Sequence, residues 1–135
     1  MALIGTRVIV AAVVARIGGA SNITVYNAQG PTPPVGRSCV VYAAAGDPDG
    51  VLGDPDRNVT VEFQTTCVGT TAEQAMFTHD TVVARLNRES LSGTGWATYP
   101  VRMIPGTQQP VRRDDALAVP YFYVTCSWVA TAQPA

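Results

Sequence analysis

Between residues 57 and 91 the hydrophobic spacing of the chain changes once, from a period of two to a period between three and four. Val59, Val61, Phe63, Thr65 and Cys67 alternate with Thr60, Glu62, Gln64 and Thr66. That alternation predicts a strand with one covered face and one wetter face. Val68-Gly69 is expected to break it. Thr70, followed three residues later by Glu73, fits a capping box, in which each side chain satisfies a free amide at a helix start. Ala72, Ala75, Met76, His79, Val82, Val83 and Leu86 then recur at three and four, the spacing of one helical face.

The rest of the chain is read from weaker patterns. The apolar run Val8 to Ala15 follows Arg7 and resembles a short signal-peptide core, but it is far too short to span a bilayer, which takes about 20 residues. A packed helix with Gly18-Gly19 as its left-handed cap is the expectation, and a strand is the alternative for so β-branched a run. Val25 to Asn27 reads as a short extended piece, Pro31 to Pro34 as a stiff connector, and Cys39 to Ala44 as a buried strand. Gly46-Asp47-Pro48-Asp49-Gly50 and Gly53-Asp54-Pro55-Asp56 read as a pair of turns between strands. Ser92 to Gly95 reads as a flexible link, Val101 to Ile104 as a strand limited by Pro105, and Pro110 to Ala118 as a polar connector. Val119 to Ala130 reads as a long aromatic strand. Together these elements predict an α+β fold: a largely antiparallel sheet, with an N-terminal helix and one long central helix packed on one face.

At 135 residues the chain is expected to form one domain, residues 1–135, that folds without a metal or disulfide staple. A formal charge of −1 and a pI near 5.6 argue against an electrostatic binder of nucleic acid. All nine basic residues are arginine, so neither a phosphate-loop lysine nor a Schiff-base lysine can exist here. Cys39, Cys67 and Cys126 form no closely spaced pair and lie in apolar runs, so buried free thiols are expected.

Candidate chemistry is sparse. His79 is the only histidine and sits on the apolar helical face. Cys67, at a strand end near a helix start, has the placement of an activated thiol, yet its alternation partners are core residues. Asp47, Asp49, Asp54 and Asp56 are dense enough in oxygen to suggest calcium, but an EF-hand loop starting at Asp47 needs glutamate where Asn58 stands. Neither a catalytic site, a cofactor site nor a metal site is expected. Arg112-Arg113-Asp114-Asp115 has two readings: a solvated loop of self-cancelling charge, or an intersubunit contact.

Two segments carry a family resemblance. Gln64-Thr65-Thr66-Cys67-Val68-Gly69-Thr70-Thr71-Ala72-Glu73-Gln74-Ala75 resembles the strand-to-helix passage of tail terminator proteins from long-tailed phages of actinobacteria. Gln108-Gln109-Pro110-Val111-Arg112-Arg113-Asp114-Asp115, then Pro120 and Tyr121-Phe122-Tyr123-Val124, is similar to a later stretch of the same family. The resemblance implies a virion subunit without catalysis or cofactor, assembled as a hexameric ring. Such a ring caps the tail tube at its head-proximal end, stops its polymerisation and docks on the head's connector, while DNA passes through the lumen without specific binding. On this reading Arg112 to Asp115 belong to the subunit interface, and Asp47, Asp49, Asp54 and Asp56 face the pore or the tube. The alternatives are a head-closure or connector adaptor, and a small cytosolic enzyme using Cys67 and His79.

Overall fold

A computed structural model describes residues 4–19, 22–30, 36–44, 47–51, 54–115 and 120–134. The expected connector at Pro31 to Pro34 lies outside the described residues. The chain order is α1 (Thr6–Gly18), β1 (Thr24–Asn27), β2 (Ser38–Ala43), β3 (Asp47–Val51), β4 (Asp54–Gly69), α2 (Ala72–Leu86), β5 (Ser92–Gly93), β6 (Trp96–Thr98), β7 (Arg102–Met103), β8 (Arg112–Asp114) and β9 (Tyr121–Pro134). The α+β architecture is as expected: one mixed sheet, antiparallel except for β1 against β2, with both helices over one face.

β4 and β9 form the spine, paired from Val59↔Ala132 to Gly69↔Phe122. Their alternation puts Val59, Val61, Phe63, Thr65 and Cys67 in the core beside Val124, Cys126, Trp128, Ala130 and Ala132, all buried. Phe63 and Trp128 face each other in register and stack, with ring centroids 6.4 Å apart and planes 8° from parallel. Thr65 is a polar residue at a core position, made tolerable because its hydroxyl accepts the Trp128 indole N–H at 3.0 Å.

Both helices exist, and each departs from expectation in detail. Gly19 is not left-handed: it sits at φ −68° and donates its N–H to Ala15 O at 3.1 Å. A Cβ here would meet the guanidinium end of the Arg85 side chain, which would have to move aside. The cap of α2 is Thr71, whose hydroxyl accepts the Gln74 N–H at 3.1 Å. The Thr70–Glu73 box is therefore displaced by one residue. Gln74 Oε1 reaches back to the Thr70 N–H at 3.0 Å and the Thr70 hydroxyl at 2.7 Å. Gly69 does not break the strand but remains in it. A side chain there would lie 2.5 Å from the backbone nitrogen of Ala75, so only glycine lets the strand run straight into the helix.

The buried stripe of α2 is Ala75, Thr78, Val82 and Leu86, rotated from the predicted one. Ala72 and Met76 face outward, and Thr78 takes the inward place because its hydroxyl bonds the Gln74 carbonyl at 2.9 Å.

Three loop expectations are corrected. Ser92 to Gly95 is not a loose link but the start of a tight hairpin, with Ser92↔Ala97 and Gly93↔Trp96 paired and Gly95 at φ +80°. The Gly-Asp-Pro-Asp elements are not two turns: residues 47–51 and 54–58 are the two arms of a hairpin, Asp47 opposite Thr60 and Asp49 opposite Asn58. Proline is admitted because β3 pairs with β4 alone, so a missing N–H on its open side costs no ladder bond. The supposed connector at residues 110–118 contains β8, which pairs Arg112 with Tyr123 and Asp114 with Tyr121.

Candidate functional site

Chemistry in this fold would need titratable groups that converge, and the described residues keep them apart or inert. Cys67 is fully buried, and its thiol is pushed well above the ordinary value by the neighbouring Cys39 thiol and then by burial. It is a neutral thiol at neutral pH, the reverse of an activated nucleophile. Cys126 is also raised, chiefly by burial. His79 is lowered by desolvation, partly offset by Asp80, and its Nδ1 is buried with no hydrogen-bond partner among the described residues. No three His, Cys, Asp or Glu side chains among the described residues are grouped to hold a metal ion. No helix among them is long and apolar enough to cross a membrane.

The clefts carry little reactive material. One of about 730 Å³ lies between the start of α1 and the β5–β6 hairpin, lined by Ile4, Val8, Ala12 and Trp96 and by no titratable side chain. Another, about 450 Å³, presents Arg88 and Arg102 beside Pro100 and Met103.

What the fold does present is surface of three kinds. The first is the helix-free sheet face. In register it carries Tyr42, Gln64 and Ser127 in one row, and Val40, Thr66 and Thr125 in the next. Val40 is buried on this face, while Tyr42 is 45% exposed and Glu62, one row further along β4, is exposed as well.

The second is the edge built by residues 96–114. β6, β7 and β8 run one after another along β9, and the gaps are bridged by Tyr99 N–H to Thr131 O (3.0 Å), Ile104 N–H to Ser127 O (2.8 Å) and Gln109 N–H to Thr125 O (3.0 Å). Arg102, Arg112, Arg113, Asp114 and Asp115 are all exposed along it. Arg113 Nε bonds Asp115 Oδ1 at 2.5 Å, both more than half exposed, while Arg112 Nη2 reaches Gln109 Oε1 at 3.5 Å. An exposed pair of this kind adds little stability. β8 places Arg112 and Asp114 on the helix-free side of the sheet and Arg113 on the other.

The third is the hairpin β3–β4, which brings Asp47, Asp49, Asp54 and Asp56 onto two adjoining strands. Beyond Val59, β4 is paired with β3 alone, so the acidic arms extend past the spine of the sheet. The acidic residues and the Arg112–Asp115 group thus sit on different elements.

One exposed feature went unread in the sequence. Met76 (53% exposed) and Phe77 (41%) stand outward near the start of α2, with the Arg37 guanidinium 5.6 Å from the Phe77 ring centroid. Its signal was two consecutive large apolar residues in a helix, one of which must leave the buried stripe.

No family model matches the chain, and no curated protein matches it. Among solved structures the fold is similar to a chain of the "Virion of native gene transfer agent (GTA) particle", with a TM-score of 0.58 and 15% identity. The match covers 91% of this chain and 92% of that one. At that identity the likeness is one of fold.

Proposed function

We propose that this chain is a structural subunit of a phage-like virion, and specifically a tail terminator. It would form a ring at the head-proximal end of the tail tube, end tube polymerisation and offer the surface on which the head docks. The observation that carries the reading is the fold shared along nearly the full length with a chain of a virion particle. The strand-to-helix segment Gln64 to Ala75 and the segment Gln108 to Val124, both similar to tail terminators, support it. So does the shape of the candidate surfaces, which suit joining rather than catalysis.

A closed ring of identical subunits needs two different complementary patches on each. The sheet edge bearing Arg112, Arg113, Asp114 and Asp115 supplies one. The acidic hairpin of Asp47, Asp49, Asp54 and Asp56 lies at the pore or against the tube, where carboxylates repel phosphate and keep DNA from adhering during passage.

The test is to image particles from a host lacking the gene, together with the purified protein. Tails of abnormal length and rings in the purified sample are expected. Tails of normal length that fail to join heads would point to a head-closure adaptor instead. The paired change Arg112→Glu and Arg113→Glu is expected to abolish rings; normal rings would remove this edge from the interface.

A further inference from the structure

We infer that Cys39 and Cys67 are a built modification site: an oxidisable pair whose cross-strand disulfide pins the start of β2 to the end of β4 that leads into α2. The inference stands on the sheet register and is independent of the functional reading.

Cys39 and Cys67 lie directly opposite each other in antiparallel strands. Ala44 donates its N–H to Glu62 O at 3.0 Å. Counting back along the register by twos makes Tyr42/Gln64, Val40/Thr66 and Ser38/Val68 hydrogen-bonded pairs. Cys39/Cys67 is consequently a non-hydrogen-bonded pair, the kind in which Cα atoms approach to about 4.5 Å and side chains come closest. That spacing falls inside the window of roughly 4.4–6.8 Å that a disulfide spans. Both side chains are fully buried on the helix-covered face, with the two thiols within hydrogen-bonding reach.

The third cysteine is set apart. Cys126 faces Thr65, with its sulfur 3.5 Å from the Thr65 hydroxyl, while Cys67 faces Val124. Cys126 is therefore diagonal to Cys67, a relationship of roughly 7–8 Å.

Oxidation by a small aliphatic disulfide balances simply. One cysteine thiolate attacks a sulfur of the reagent and releases one alkyl thiolate, and the second cysteine then displaces the other. One S–S bond forms, one breaks, and two thiols leave, each having gained a proton from a cysteine. Burial of both side chains and the raised Cys67 thiol make the first attack slow, so the reaction waits for β2 to open. Its far neighbour is only the four-residue strand β1, which makes that edge the easier one to part. The closed loop, Cys39 to Cys67, contains the whole hairpin.

The absence of lysine makes the test direct. Cleavage after arginine leaves Cys39, Cys67 and Cys126 on separate peptides, 38–57, 58–85 and 114–135. The full chain is incubated with hydroxyethyl disulfide a few degrees below its thermal midpoint, alkylated, digested and mapped by mass spectrometry. Peptides 38–57 and 58–85 are expected to be joined, roughly 2 Da lighter than their sum. The joined species is expected to persist in Cys126→Ala, vanish in Cys39→Ser, and raise the thermal midpoint by roughly 5–10 °C, reversibly with dithiothreitol. Joining through 114–135, three free thiols after prolonged incubation, or a cross-link without a rise in midpoint would each overturn it. If Cys39→Ser does not fold, the maps of the native chain and of Cys126→Ala decide the question alone.

Discussion

Arg16 and Arg85 hold each other's backbone. Arg16 Nε donates to the Arg85 carbonyl at 2.9 Å, and Arg85 Nε donates to the Arg16 carbonyl at 3.0 Å. Each residue stands in the last turn of its own helix. The exchange therefore brings a positive charge to each negative helix end and satisfies a carbonyl there. Arg16 also reaches Glu89 at 3.3 Å.

This clasp predicts a coupled pair of variants. Arg85→Met is expected to lower stability by about 1–2 kcal/mol, the worth of one charge-assisted bond. Gly19→Ala is expected to cost no more than the Arg85 contact its methyl pushes aside in the native background, and to be nearly neutral once Arg85 is methionine. Urea unfolding of the four proteins in the cycle measures the coupling.

The cap of α2 distinguishes two neighbouring threonines. Thr71→Ala is expected to cost about 1 kcal/mol, because Gln74 loses its acceptor. Thr70→Ala is expected to cost clearly less, since the Gln74 side chain keeps the Thr70 N–H as a partner. Equal losses at both positions would contradict the observed cap.

Thr65 and Trp128 test the polar point of the core. Thr65→Val keeps the shape but leaves the indole N–H without an acceptor, at an expected cost of about 1–3 kcal/mol. Thr65→Ser, which keeps the acceptor, should lose only the worth of one buried methyl, about 1 kcal/mol. Chemical denaturation followed by tryptophan fluorescence reads both.

His79 predicts the acid side of the stability profile. Its folded value is lowered from 6.5 by desolvation, so the unfolded chain takes up the proton first. The contribution is fully present above the unfolded value and is lost as pH falls below it. The thermal midpoint should drop between about pH 7 and pH 5.5, a window in which few other side chains titrate. His79→Gln should flatten that drop.

How much of this could be read from residues alone varies with the kind of information each element carries. The β4 face was plain because Val59 to Cys67 alternate without a fault. The cap was misplaced by one residue because Thr70–Glu73 and Thr71–Gln74 share the same spacing. What decides between them is that Gly69 stays paired with Phe122, a tertiary fact. Thr78 was missed on α2 since its burial depends on a bond to its own helix rather than on its polarity. The Asp-Pro segments looked like turns because proline and aspartate usually mark them, and only an open edge lets them serve as strand. β8 was invisible for a similar reason: an edge strand of arginine and aspartate shows no alternation to read. Of the candidate residues, the placement of the acidic four and the Arg112–Asp115 group on separate elements emerged only with the register.

The overhang of the β3–β4 hairpin sets a rule for how this molecule can vary. Residues 54–58 carry the arms about 17 Å past the last rung shared with β9. Inserting or removing a single residue at the base of an arm would move every later position on it to the opposite face of the strand. Reach and facing are thus geared together: relatives that keep the same side turned to the same neighbour should differ here by even insertions, in increments of about 7 Å.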